Sequence, residues 1–166
     1  MKSHEAPVTE SMQQCIDYIK QNEDEIAEYV NAVSKGDIDA LVEEYYNKYD
    51  ILSEGRDPEE FKRHVAVQAA IEIGFERFLE EKNYQAVVTH FGDLGGLQQL
   101  PGLAIQRLME KGYGFGAEGD WKTAAMVRLM KIMTAGVKDA KGTSMMEDYT
   151  YNFVPGKEGI LQSHML

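Results

Sequence analysis

A helix with clear start signals lies directly before a short apolar strand, and this order constrains the fold most. Asp57 is a residue type that caps helices, and Pro58 suits the first helical position. Apolar residues at helical spacing then extend the predicted helix to about Lys82. Residues 86–91, with the sequence AVVTHF, have the brevity and β-branched content of a buried strand. The alternation of helix, strand and loop predicts an α/β chain.

Two further helices follow a glycine-rich loop at residues 92–96. Pro101 and Gly102 are predicted to open the first, which Gly112 should close. Residues 113–119 form a predicted loop, after which Asp120 can cap a helix that runs to about Thr134. The methionines of this last helix are predicted to fill gaps in the core; they are Met126, Met130 and Met133.

The two ends of the chain differ in their sequence patterns. The acidic stretch from Glu10 to Asn47 predicts helices broken by short connections, with Gly36 ending one helix and Asp37 capping the next. Near the carboxyl end, residues 146–153 and 159–164 predict two strands joined by a turn. The chain stops inside the second predicted strand, so we expect the sequence to continue in a larger parent protein.

Composition narrows the classes of function. The 166 residues carry 28 acidic and 17 basic side chains, a net charge of −11, which argues against nucleic acid or an anionic membrane as partner. Hydrophobic residues make up 43%, enough for the core of one domain. The single cysteine, Cys15, cannot form an internal disulfide and fits a reducing compartment. With neither a signal peptide nor an apolar run of roughly 20 residues, we expect a soluble, cytoplasmic protein.

Three polar residues occupy settings that helix propensity and packing do not explain. Glu118 lies in a glycine-flanked loop directly before a helix, Glu147 lies among hydrophobic and aromatic neighbours, and His164 stands in a predicted strand. Two carboxylates and an imidazole brought together would suit Mn²⁺, Fe²⁺ or Zn²⁺. Their spacing matches no local metal motif. Each glutamate therefore also fits a second interpretation, as a solvated acid or as a charge at a helix start.

Several consecutive motifs closely resemble the L-arabinose isomerase family. They are GGLQQLPGLAIQRLM at 95–109, GYGF at 112–115, EGDWKTAA at 118–125, GTS at 142–144, MEDYTY at 146–151 and SHML at 163–166. The resemblance covers about residue 26 to the end. It implies an unmatched segment at 1–25, a helix-rich α/β middle domain of the L-fucose/L-arabinose isomerase-like fold at 26–137, and the first strands of a following β domain at 138–166.

The resemblance also implies an activity and a set of site residues. That family interconverts L-arabinose with L-ribulose, and often D-galactose with D-tagatose, at a Mn²⁺ site in a cytoplasmic homo-oligomer. The matching metal ligands here are Glu118, Glu147 and His164. The resemblance implies a fourth ligand, a histidine of a carboxyl-terminal domain, which we expect to lie outside this sequence. Phe91 matches one aromatic position of the family's sugar pocket, and Met145 stands at a second.

The chemistry of isomerisation explains the need for such residues. A proton moves between C2 and C1 through a cis-enediol, so an acid and a base must face those carbons while a cation stabilises the oxyanion. By resemblance, Glu118 and Glu147 serve as base and acid as well as metal ligands. A metal-assisted hydride shift is an alternative that the sequence leaves open.

Two other classes of function remain beside the isomerase. A truncated isomerase-like chain could act as a non-catalytic assembly or binding module, or the acidic helices of residues 10–81 could form a metal-independent interaction domain. On the isomerase interpretation, we expect this chain alone to bind Mn²⁺ weakly and to turn over negligibly, because it holds three of four ligands.

Overall fold

The computed structural model describes residues 10–90, 92, 94–138 and 148–163. They form a helix-rich α/β arrangement with a small parallel sheet and a separate antiparallel hairpin. In chain order the elements are α1 (Glu10–Asn31), α2 (Lys35–Lys48), α3 (Pro58–Glu81), β1 (Ala86–Val88), α4 (Gly102–Glu110), β2 (Gly114–Gly116), α5 (Trp121–Thr134), β3 (Asp148–Asn152) and β4 (Gly159–Ser163).

Local start signals give the bounds of two helices as predicted. The Asp57 carboxylate accepts a hydrogen bond from the Glu60 N–H at 2.8 Å and caps α3, with Pro58 in its first turn. Asp120 caps α5 in the same way through the Thr123 N–H at 2.9 Å. Helix α4 begins after Pro101.

The amino-terminal region differs from its prediction. Residues 10–31 form one continuous helix instead of helices broken by short connections. The domain boundary predicted between residues 25 and 26 stays a prediction. The predicted break at Gly36 and cap at Asp37 are wrong. Ser34 is the cap, because its hydroxyl accepts the Asp37 N–H at 3.1 Å, and Gly36 lies inside the first turn of α2.

The parallel sheet consists of two strands of three residues each, and only the first of them lies in a predicted strand. Strand β1 comprises Ala86–Val88 of the predicted strand at 86–91, and residue 91 lies outside the described residues. The predicted loop at 113–119 contains β2, which pairs in parallel with β1 and places Val87 opposite Phe115. The carboxyl ends of both strands therefore lie at one edge.

Two groups of buried side chains hold the helices together. The larger joins α3, α4, β2 and α5 through residues such as Phe75, Leu108 and Phe115, and the smaller joins α2 to α3 through Val42 and Ala69. Helix α1 crosses α3 closely at Gly74, where a Cβ atom would lie 2.7 Å from the Val30 Cα atom.

The predicted strands near the carboxyl end form a hairpin. Strands β3 and β4 pair antiparallel, with Thr150 opposite Leu161. The predicted residues 146, 147 and 164 lie outside the described part of the chain. No helix among the described residues is long and apolar enough to cross a membrane.

One face of α5 is apolar and exposed. Trp121 is 67% exposed, Met133 is 64% exposed and Met126 is 55% exposed. The prediction that the methionines of this helix fill the core is wrong for Met126, Met130 and Met133, because the side of α5 that packs on β2 is supplied by Ala124 and Val127.

Candidate functional site

Glu118 lies at the carboxyl-terminal edge of the parallel strands. Strand β2 ends at Gly116, and residues 117–119 make a single tight turn before α5. Glu118 itself has a left-handed backbone (φ 53°, ψ 27°), which is uncommon for a residue with a side chain. In open α/β sheets, this edge is where ligands bind. The turn therefore presents a carboxylate at the position where the fold class places its chemistry.

Backbone contacts hold this turn in place. The Gly119 N–H donates to the Thr89 carbonyl at 3.0 Å and so ties the turn to the end of β1. A Cβ atom at Gly116 would lie 2.1 Å from the Asp120 carbonyl oxygen, so only glycine allows the strand to enter the turn this closely. Glu118 is thus positioned by its main chain on both sides.

The Asp120 carboxylate secures the other end of the turn. It accepts hydrogen bonds from the Thr123 N–H at 2.9 Å and from the Thr123 hydroxyl at 2.7 Å. These bonds hold the pKa of Asp120 below its usual value. Asp120 therefore stays ionised and committed to the helix start.

The Glu118 side chain is exposed, and no described residue hydrogen-bonds or ion-pairs with its carboxylate. The edge also carries His90, whose Nδ1 accepts the Gly92 N–H at 3.1 Å. A cavity of about 40 Å³ beside β1, lined by residues that include Thr89 and His90, has room for roughly one water molecule but not for a sugar.

The other predicted site residues fall outside the described part of the chain. They are Phe91, Met145, Glu147 and His164. Their convergence with Glu118 stays a prediction. Within the described residues, no three His, Cys, Asp or Glu side chains come together as a metal site.

The structure places one polar cluster that the sequence interpretation missed. Glu72 is 1% exposed and Arg107 is 6% exposed, and the Arg107 Nε donates to the Glu72 carboxylate at 2.7 Å. Arg107 also donates to the Glu44 carboxylate at 2.6 Å and to the Tyr49 hydroxyl at 3.1 Å. The Tyr45 hydroxyl donates to Glu72 at 2.6 Å. The cluster joins α2, α3 and α4.

Ionisation in this cluster follows from burial and pairing. Burial, followed by the hydrogen bond to Glu72, raises the pKa of Tyr45 well above its usual value and keeps the phenol neutral. Burial alone would lower the pKa of Arg107, but its hydrogen bonds to Tyr49, Glu44 and Glu72 outweigh that effect and raise it. A sequence signal existed: Glu72 interrupts the apolar stripe of Val65, Ala69 and Leu79, and Arg107 stands between Ile105 and Leu108.

Comparison with known proteins decides the family. The family model of the L-arabinose isomerase central domain matches residues 10–136, and that of the L-arabinose isomerase C-terminal domain matches residues 142–166. The chain belongs to the L-arabinose isomerase family.

Individual relatives agree with this assignment. The chain is similar to L-arabinose isomerase of Geobacillus kaustophilus, with 52% identity over 142 residues, which cover 86% of this chain and 28% of the relative. The Serratia proteamaculans enzyme is 52% identical over 143 residues, covering 86% and 28% respectively. That of Pectobacterium atrosepticum is 54% identical over 137 residues, covering 82% and 27%. The chain thus spans little more than a quarter of these relatives' length.

Proposed function

We propose that this chain is part of an aldose–ketose isomerase of sugar catabolism that interconverts L-arabinose and L-ribulose, with D-galactose and D-tagatose as a second substrate pair. The observation that carries the proposal is the family match over residues 10–136. The exposed Glu118 carboxylate at the strand edge supports it, because the sugar chemistry requires an acid or base in a ligand-accessible position.

The chemistry of the donors fits a divalent cation. Glu118 offers a carboxylate that no described residue engages, on a turn fixed by its backbone. With Glu147 and His164 it would give two carboxylates and an imidazole, a set that suits Mn²⁺. When bound, the cation would polarise the sugar carbonyl and stabilise negative charge on its oxygen.

The two glutamates would move the proton. One carboxylate takes the proton from C2 of the open-chain aldose while the C1 carbonyl oxygen gains a proton, which gives the enediol. The proton then returns to C1 as the O2 hydroxyl loses its own, which leaves the ketose. Glu118 and Glu147 would fill these two roles, and Phe91 and Met145 would line the sugar pocket. Proton transfer is proposed over a hydride shift because it uses both carboxylates.

A chimera with a full-length relative tests the proposal. Replacing the matched 142 residues of the Geobacillus kaustophilus relative by those of this chain should give a Mn²⁺-dependent isomerase. In that chimera, Glu118→Gln should lower the rate by more than about 100-fold, since it removes a carboxylate that would bind the cation directly. Glu43→Gln, at an exposed position of α2, should leave it unchanged. A folded chimera without isomerase activity would overturn the proposal.

Two further measurements separate the mechanisms and locate the cation. In deuterated water, proton transfer places deuterium at C1 of the L-ribulose formed, whereas a hydride shift leaves that position unlabelled. For the 166-residue chain, added Mn²⁺ should broaden the amide signals around Glu118 first, and Glu118→Gln should remove this effect. We expect weak binding and negligible turnover from the chain alone.

We further propose the L-fucose/L-arabinose isomerase-like fold, a cytoplasmic location, and assembly with like subunits rather than with nucleic acid or membranes. The exposed apolar face of α5, with Trp121 and Met133, supports subunit or domain packing. It is also the observation that favours the alternative function, a non-catalytic assembly module. An active chimera favours the isomerase. An inactive chimera, with sedimentation showing that the chain binds the relative's subunits, favours the assembly module.

A further inference from the structure

A groove of about 520 Å³ lies on the side of α3 that faces residues 99–103, and the Glu118 turn contributes nothing to its lining. Its polar lining comes from Arg56, His64, Gln68 and Gln99, and its apolar lining includes Phe61 and Leu103. Small-molecule sites in proteins have this size and this combination of an apolar wall with a few polar groups. The proposed isomerase chemistry uses none of these residues.

Hydrogen bonds fix the orientation of the two amides in the groove. The Gln68 Nε2 donates to the Leu100 carbonyl at 2.7 Å and to the Gln99 Oε1 at 2.9 Å. The Gln99 Nε2 donates to the His64 carbonyl at 3.2 Å and lies 3.2 Å from the His64 Nδ1. Because carbonyl oxygens only accept, the amide groups cannot be flipped.

Among the described residues, this network leaves the Gln68 Oε1 without a hydrogen-bond donor. It is a buried side-chain oxygen that accepts no hydrogen bond from any described residue. A buried acceptor without a donor is unfavourable, and a donor supplied from the groove would relieve that cost. A hydroxyl group is such a donor.

Arg56 adds a positive charge that no described carboxylate pairs with. Its guanidinium lies over the Phe61 ring, with its central carbon 5.4 Å from the ring centroid. No carboxylate of a described residue lies within ion-pair distance of it. A guanidinium presented in this way binds carboxylate or phosphate through two parallel hydrogen bonds.

We propose that this groove binds a small polyhydroxylated anion, a sugar phosphate or a sugar acid. Arg56 takes the anionic group, the Gln68 Oε1 accepts a hydrogen bond from a hydroxyl group, and the carbon–hydrogen face of the molecule packs on the apolar wall beside Leu103. That hydrogen bond requires the buried Gln68 oxygen to become accessible from the groove. A site of this kind is independent of the proposed isomerase activity.

Calorimetric titration of the 166-residue chain with four probes tests the inference. D-ribose 5-phosphate or D-ribonate should bind at least about tenfold more tightly than D-ribose or inorganic phosphate, because only the first two offer both an anion and hydroxyls. The tighter of the two identifies the phosphate or the carboxylate as the natural anion. Equal binding of D-ribose, or of inorganic phosphate, would overturn the inference.

Variants and spectra give a second readout. Arg56→Gln, at an exposed position, should weaken binding by about tenfold or more, whereas Arg63→Gln, an exposed arginine of α3 outside the groove, should not change it. In nuclear magnetic resonance spectra, the side-chain amide signals of Gln68 and Gln99 should shift on binding. Unchanged binding by Arg56→Gln, or shifts confined to other residues, would show that the groove is not the site.

Discussion

Replacing Arg107 by methionine should be among the most destabilising single changes in this chain. The substitution keeps the side-chain length but removes the donors to Glu72, Glu44 and Tyr49. Glu72 stays buried, with the Tyr45 hydroxyl at 2.6 Å and the Lys111 ammonium at 3.3 Å as its remaining partners. Breaking a buried ion pair from one side typically costs about 3–5 kcal/mol, because the other charge loses compensation. Here the Lys111 ammonium, 38% exposed, remains as the weaker cationic partner of Glu72.

Urea unfolding followed by circular dichroism measures this cost. With a urea dependence of about 2 kcal/mol per molar, a loss of about 4 kcal/mol lowers the unfolding midpoint by about 2 M. The matched control is Arg77→Met, because Arg77 pairs with Asp37 at 2.9 Å on the surface, where ion pairs contribute little.

A double variant checks the reasoning. Glu72→Met combined with Arg107→Met removes both charges, so it should be more stable than Arg107→Met alone. The argument fails if Arg107→Met and Arg77→Met cost the same, or if the double variant is less stable than Arg107→Met.

Three further perturbations should have the following results. Burial raises the pKa of Tyr45 in the folded state. The contribution of Tyr45 to stability is therefore complete below pH 10.0, the usual tyrosine pKa, and is lost as the pH rises through the folded-state value. Tyr45→Phe should flatten this alkaline decline in unfolding experiments. The lowered pKa of Asp120 means that its contribution is present above pH 3.8 and is lost as the pH falls through the folded value, so Asp120→Ala and the parent chain should converge in stability in acid. Gly116→Ala should lower the thermal midpoint strongly because its Cβ would lie 2.1 Å from a backbone oxygen, whereas Gly36→Ala, with 3.9 Å to its nearest neighbour, should be neutral or stabilising.

A helix start could be predicted where the sequence offered a single candidate for the capping residue. Asp57 and Asp120 each precede a helix and cap it as expected. Between α1 and α2, the sequence offers Ser34 and Asp37 three positions apart, and both residue types can cap a helix. Gly36 favours a helix end on sequence grounds, but it lies in the first turn of α2, where glycine is tolerated, and Ser34 is the cap.

The short strand β2 could not be predicted from its own residues. Gly114, Phe115 and Gly116 have little strand propensity as a group, and their pairing partner in β1 begins 28 residues earlier in the register, at Ala86 opposite Gly114. The exposed methionines of α5 reflect the same limit: apolar periodicity predicts which side of a helix is apolar, but not whether this part of the chain covers it.

The Glu118 turn shows how much of the candidate site a sequence can specify. Its glycine-flanked carboxylate stood out because neither propensity nor packing explains a lone acid there, and the turn does hold it in a left-handed conformation. Its orientation depends on contacts far apart in sequence, above all the hydrogen bond from Gly119 to the Thr89 carbonyl. Gly116 and Asp120 fix the turn without supplying a reactive group, so we expect substitution of Gly116 to displace the turn while the Glu118 carboxylate itself is retained. If Gly116→Ala, measured at a temperature where circular dichroism shows it folded, loses Mn²⁺-induced broadening as fully as Glu118→Gln does, then the proposed Mn²⁺ binding at Glu118 depends on the position of the carboxylate as well as on its charge.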